Sequence, residues 1–305
     1  MCYSFIVEPS SFPTKHIVAV GFAAAAGSAI AVFVTMFALG AYASHHAGFG
    51  TAETTRTYSD SSACNVLGIQ VHGTIVASRA DIPLMDTQPV QQYDGSTSLV
   101  APNYTVANEI EDALRDASKD DSIKAILVDV DSPGGGVVSG QEIANAIRKS
   151  GKYSVSVIHE IGASAGYLSA AAANKVFAGR DSEVGSIGVT ASFLNQYEKN
   201  QRDGVVYEQL SSGVYKDTYS PDKPLTADEK KLIMRDINMA RDHFVTLVAE
   251  YRTIPIGDVD KLADGSTMLG DAALKNKLID SVGTTWEALD TIEERIGEPV
   301  SLCWQ

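Results

Sequence analysis

The chain has 305 residues, 24 basic and 38 acidic side chains, and a formal net charge of −14. A balance that acidic argues against a protein whose main task is gripping nucleic acid, and 45% hydrophobic content excludes a disordered or collagen-like chain. Three scattered cysteines (Cys2, Cys64 and Cys303) do not make a disulfide framework or a zinc cluster, and no CxxC, HExxH or GxxxxGK[ST] pattern occurs.

The first 15 residues are too few for a domain. From Ile17 to Tyr42 no Asp, Glu, Lys or Arg occurs, and a helix of that length spans a hydrocarbon core about 30 Å thick. Ala41-Tyr42-Ala43 has the form of a signal-peptide cleavage site, but the apolar run exceeds the roughly 7–15 residues of a signal h-region. Residues 16–43 are therefore expected to be an uncleaved transmembrane anchor, and 44–63, polar and without period, a tether. With so short a leading tail, the bulk is expected outside the cytoplasm.

A globular pattern, taken as one unit over 64–305, begins with a strand at Val66–Val76 carrying a bend at Gly73. Asp81 to Pro102 shows no period and reads as a loop. Val106, Ile110, Ala113 and Leu114 fall at helical spacing. A buried strand from Ile123 to Val130 runs into Asp131-Ser132-Pro133-Gly134-Gly135-Gly136, and a helix follows through Ile143 and Ile147. Next come a strand at Val155–Ile158, a small-residue helix from Ser164 to Ala173, and short strands near 176–178, 187–191 and 205–209. A long helix is predicted over 226–251, and shorter ones over 272–277 and 285–296. Apolar strands alternating with helices indicate an α/β fold with a largely parallel sheet.

Gly162-Ala163-Ser164-Ala165-Gly166 matches G-x-S-x-G at a strand-to-helix junction, where small neighbours permit a sharp turn that exposes the serine hydroxyl. The same five residues also suit a helix N-cap serine in a tight turn. A serine nucleophile needs a base. Of six histidines, only His243 follows the serine, as an α/β-hydrolase requires, and it lies within the predicted long helix. His159, five residues before the serine on a strand, suits a satisfied structural histidine. A Ser-His-Asp triad is thus poorly supported, and lysine is the alternative base.

Four segments in register resemble the signal peptide peptidase A family of membrane-anchored Ser-Lys peptidases: 131–136, 162–178, Gly185-Ser186-Ile187-Gly188-Val189, and Ser212-Gly213-Val214-Tyr215-Lys216-Asp217 leading to Leu225-Thr226. The resemblance covers most of Val66 to about Gly283. It implies a ClpP/crotonase-like fold, Ser164 as nucleophile and Lys216 as general base. It also implies Ser186 as the residue that orients the lysine and Gly135 as the oxyanion-hole donor. A lysine base works only when neutral, a state favoured by desolvation. The family usually has glycine where this chain has Ala165, and a methyl group there is expected to narrow the turn or crowd the substrate.

The resemblance further implies endoproteolysis of hydrophobic peptides such as cleaved signal peptides. It implies no metal and no organic cofactor, membrane lipid around the N-terminal helix, and a homo-oligomeric ring sharing its dyad between subunits. Two other readings stay open at this point: a G-x-S-x-G esterase or lipase, which needs His243 in a loop beside Ser164, and a non-catalytic membrane-assembly module.

Overall fold

A computed structural model describes residues 64–83, 88–91, 97–100 and 103–305; the apolar segment 17–42 and the tether lie outside them. Among the described residues no helix is long and apolar enough to cross a membrane.

The central sheet is parallel. Strand β1 (Val66–Val76) lies beside β5 (Ala125–Gly135), β5 beside β6 (Tyr153–Ala163), and β6 beside β7 (Lys175–Ala178). The short β10 (Ser281–Val282) and β11 (Leu302–Trp304) form the edges, and β4 (Tyr104–Val106) pairs with the end of β1. At its far end β6 changes partner, from β7 to β8 (Glu183–Gly185), which pairs antiparallel with β9 (Thr267–Leu269). The stretch read as a loop contains an antiparallel pair, β2 (Gln88–Gln91) with β3 (Thr97–Val100).

Alternation along the strands divides the core into two layers. On one face Leu67, Ile69 and Val71 of β1 and Ile126, Val128 and Val130 of β5 meet apolar side chains from several helices. Helix α1 (Ala107–Ala117) buries Ala107, Ile110, Leu114 and Ala117, spaced three and four apart as a helical face demands. Helices α2 (Val137–Lys149), α3 (Ala165–Ala171) and the 26-residue α5 (Ala227–Arg252) join it; α4 (Tyr197–Arg202) buries none of its residues. Thr226 and Glu229 form a capping box at the start of α5, which satisfies backbone donors a helix end leaves orphaned. Short α6 (Ile256–Leu262) and α7 (Gly270–Lys275) close this side.

On the opposite face Val66, Ala125, Leu127, Val155 and Val157 pack on Ala288 and Ile292 of α8 (Thr285–Ile296). Beyond α8 that face turns polar. Asp129 bonds His72 at 3.0 Å and also bonds His159, so His159 is a paired strand histidine.

Two predicted strands do not form. Residues 187–191 and 205–209 have no strand structure, because neither apolar run lies against a free sheet edge to which its backbone can bond. The three cysteines also hold more than their spacing disclosed: Cys64 and Cys303 form a disulfide with Cα atoms 5.8 Å apart, tying β11 to the start of β1.

Candidate active site

Strands β5 and β6 deliver their C-terminal ends to the same place. Ser164 follows the last residue of β6 and precedes α3 with φ 52° and ψ −123°. A non-glycine residue in such a conformation is sterically costly and persists only where its surroundings enforce it. Its backbone N–H donates to Gly185 O at 2.8 Å, and its carbonyl accepts from Leu168 N–H at 2.9 Å. Below it, Tyr167 is fully buried and donates its hydroxyl to Leu278 O at 2.9 Å. Burial pushes that phenol well above its ordinary pKa, so it stays a donor.

The glycines around Ser164 have separate reasons. Gly134 takes φ +109°, and a β-carbon on it would lie 2.8 Å from Ser164 Cβ. On Gly135 a β-carbon would lie 2.1 Å from Ile75 O, so the absent side chain there makes room for β1. Gly166, the last glycine of the motif, faces Ser132 O, 2.7 Å from the position of an added β-carbon. Gly134, rather than Gly135, is the glycine lying against the serine, and only its position after a buried strand hinted at this.

Ala165 is buried with 4% exposure, and its methyl lies 2.7 Å from where a β-carbon on Gly140 of α2 would be. The methyl therefore points into the α2–α3 contact.

Ser186 continues β8 as Ser164 continues β6, one residue beyond the Ala163–Gly185 pair. It too has positive φ, 50°. Its hydroxyl donates to Gly265 O at 2.9 Å and its N–H to Ser266 O at 2.9 Å. The Asp264–Ser266 turn thus has a task the sequence did not reveal. It is itself held by Asp264, whose carboxylate accepts from the Ser266 hydroxyl and N–H and is thereby kept below the usual range.

Lys216 stands apart from this group. It occupies an exposed turn, its N–H bonded to Gly213 O at 3.1 Å, and its ammonium makes no hydrogen bond to Ser164 or Ser186. The turn belongs to an arm, residues 188–226, closed at its base by Gln196 N–H to Pro221 O at 2.7 Å and Asn200 to Asp222 at 2.8 Å. Asp217, beside the lysine, accepts from Tyr207 and Gln209. The arm's apolar side chains face solvent: Leu210 is 94% exposed, Leu194 86%, and Val206 and Val214 78% each.

Within one chain, then, Ser164, Ser186 and the glycine turn come together, and Lys216 does not join them. His243 is exposed within α5 and makes no bond to the serine, so the condition for the esterase reading is not met. Among the described residues no group of His, Cys, Asp and Glu is arranged to hold a metal.

The family model described as "Peptidase family S49" matches residues 146–297, and one described as "Clp protease" matches 99–184. A protein named as a protease from Methanocaldococcus jannaschii is 37% identical over 183 residues, 59% of each chain. One named signal peptide peptidase SppA from Enterococcus faecium is 34% identical over 184 residues, 59% of this chain and 54% of its own. "Protease 4" of Haemophilus influenzae is 30% identical over 189 residues, 61% of this chain and 30% of its own. The chain thus spans between about a third and three fifths of the length of these relatives.

Proposed function

The chain belongs to peptidase family S49, and from that premise we propose that it is a membrane-anchored serine endopeptidase cutting hydrophobic peptides, cleaved signal peptides among them, with a Ser164–Lys216 dyad. The observation that carries this reading is the backbone of Ser164: a serine forced to φ 52° at a strand-to-helix junction, with Gly134 cleared of any side chain beside it.

In the proposed reaction the Ser164 hydroxyl attacks the scissile carbonyl carbon while neutral Lys216 takes its proton. The backbone N–H of Gly135 donates to the developing oxyanion. The lysine ammonium then protonates the leaving amine, and an acyl-enzyme ester remains. Water, deprotonated by the same lysine, attacks that ester and releases the second product, returning the proton to Ser164. Ser186 orients the lysine, its own hydroxyl fixed by Gly265 O.

The lysine comes from a neighbouring copy in an oligomeric ring. Supporting this, Lys216 is exposed on an arm whose large apolar side chains are uncovered, a combination that contact with a second copy relieves. The segment 17–42 anchors the chain in the cytoplasmic membrane, and the catalytic unit sits on the outer side. The Cys64–Cys303 disulfide supports that side, because such bonds persist in oxidising compartments.

A fluorophosphonate probe tests the nucleophile. The adduct is expected on the peptide containing Ser164 and is lost in Ser164→Ala; an adduct on another serine, retained in that variant, contradicts the assignment.

A further inference from the structure

At the end of the sheet opposite Ser164, two arginines and a lysine gather without an ion pair between them and a carboxylate. Arg79, Arg115, Arg180, Arg235, Arg241 and Arg252 each lie within ion-pair distance of a carboxylate. Arg148, Arg202 and Arg295 do not. Arg148 and Arg295 each lie over a tyrosine ring instead, Arg148 at 5.5 Å from the centre of Tyr251 and Arg295 at 5.4 Å from that of Tyr153. Both line one open pocket of about 340 Å³, together with Lys152, Ser154 and Asn174.

The pocket offers donors. A guanidinium carries five N–H groups in a planar fork suited to two oxygens of one phosphate. Lys152 uses one N–H on Asp120 O at 2.8 Å, leaving two. The side-chain oxygen of Asn174 already accepts from the Ser154 N–H and hydroxyl, so its NH₂ group remains to donate. Arg148 and Arg295 also end their helices, where the dipole favours a cation. That preference acts at each helix separately and does not bring both guanidiniums and a lysine to one hollow.

The location supplies the ligand class. Tyr153 opens β6 and Ser164 follows its end, so the pocket lies roughly 35 Å from the nucleophile at about 3.3 Å per strand residue, too far to contact a scissile bond. An adjoining hollow, lined by Asp121, Lys124, Lys152, Tyr153 and Arg295, borders the start of β1, because Lys124 N–H donates to Asn65 O at 2.8 Å; the Lys124 ammonium is itself paired with Glu298 at 2.7 Å. That is where the tether joins the described fold.

We propose that this pocket binds the phosphodiester of an anionic phospholipid and holds the tethered end of the catalytic unit against the membrane surface. The proposal rests on residues 17–42 being a membrane anchor, and the test separates the two. Full-length chain, purified in detergent, is combined with vesicles of phosphatidylcholine alone or with phosphatidylglycerol, the detergent is removed, and flotation is followed by amide hydrogen exchange.

If the chain floats with both vesicles, the anchor reading stands, and exchange over 148–154 and 293–297 decides the pocket. Several-fold slower exchange with phosphatidylglycerol is expected. It should weaken as salt shortens the Debye length from about 8 Å to about 3 Å, and disappear in Arg148→Gln/Arg295→Gln with probe labelling of Ser164 unchanged. Equal exchange on both vesicles, protection surviving in the double variant, or the same protection from soluble glycerol phosphate on phosphatidylcholine overturns the lipid assignment. If the chain does not float with phosphatidylcholine, the anchor reading fails. Flotation with phosphatidylglycerol then supports the pocket, and flotation with neither overturns it.

Discussion

Gly134→Ala strikes the serine junction without touching a reacting group. The new methyl would lie 2.8 Å from Ser164 Cβ, 3.0 Å from Ala163 O and 3.1 Å from Ala165 N, on a residue at φ +109°. Holding an L-residue in that backbone region costs about 1–3 kcal/mol, and overpacking costs typically 1–3 kcal/mol. Together these approach roughly 2–6 kcal/mol, a large part of the ~5–15 kcal/mol stability of a folded chain. Whatever strain the structure relieves must be relieved by moving Ser164 or its flanking peptides, and a displacement of about 1 Å can cost ~10²-fold in rate. The assay pairs denaturant unfolding with the rate of fluorophosphonate labelling. Gly204→Ala is the control: φ is +69° but no atom lies within 4 Å of the added carbon. It is expected to lose about 1–2 kcal/mol, the cost of left-handed backbone alone, and to keep its labelling rate. A Gly134→Ala protein with unaltered midpoint and labelling rate would refute the packing argument.

Three further outcomes follow from other parts of the fold. Ala165→Gly should lose about 1 kcal/mol for the buried methyl and label at an undiminished rate; a marked gain in peptide cleavage would instead restore the idea that the methyl crowds the substrate. Cys64→Ser should lower stability by about 2–5 kcal/mol and loosen β11, seen as a fall in melting temperature and faster amide exchange at 302–304, and an unchanged melting temperature contradicts a formed disulfide. Lys223 and then the Thr226 N–H hold the Glu229 carboxyl below its usual range, so its contribution is present above the ordinary glutamate pKa of about 4.3 and is lost as pH falls through the depressed value; Glu229→Gln should flatten the acid limb of stability against pH, and an unaltered limb contradicts the pairing.

Much of this architecture was legible because it follows from local pattern. Strand β1, helix α1 and helix α8 lie close to where apolar spacing put them, and the glycine turn and G-x-S-x-G mark the ends of β5 and β6. What stayed hidden depends on distant partners. The apolar runs at 187–191 and 205–209 have strand composition but no edge to join. The Cys64–Cys303 bond joins residues 239 apart, and no spacing rule encodes that. Ser186 was identified only through a family likeness, and the carbonyl that fixes its hydroxyl lies 79 residues away. Gly135 carries the same letter as Gly134, and only the packing of β1 and Ser164 distinguishes their tasks.

The central claim, that Ser164 works with a Lys216 supplied by another copy, is tested most directly by mixing inactive subunits. Ser164→Ala lacks the nucleophile and Lys216→Ala lacks the base, so each alone should cleave no peptide. Co-assembled, a ring contains interfaces at which an intact Ser164 meets an intact Lys216, and cleavage should return to a fraction of the wild-type rate that tracks the proportion of mixed interfaces. Mixed rings verified by native mass that remain inactive would contradict a dyad shared between copies.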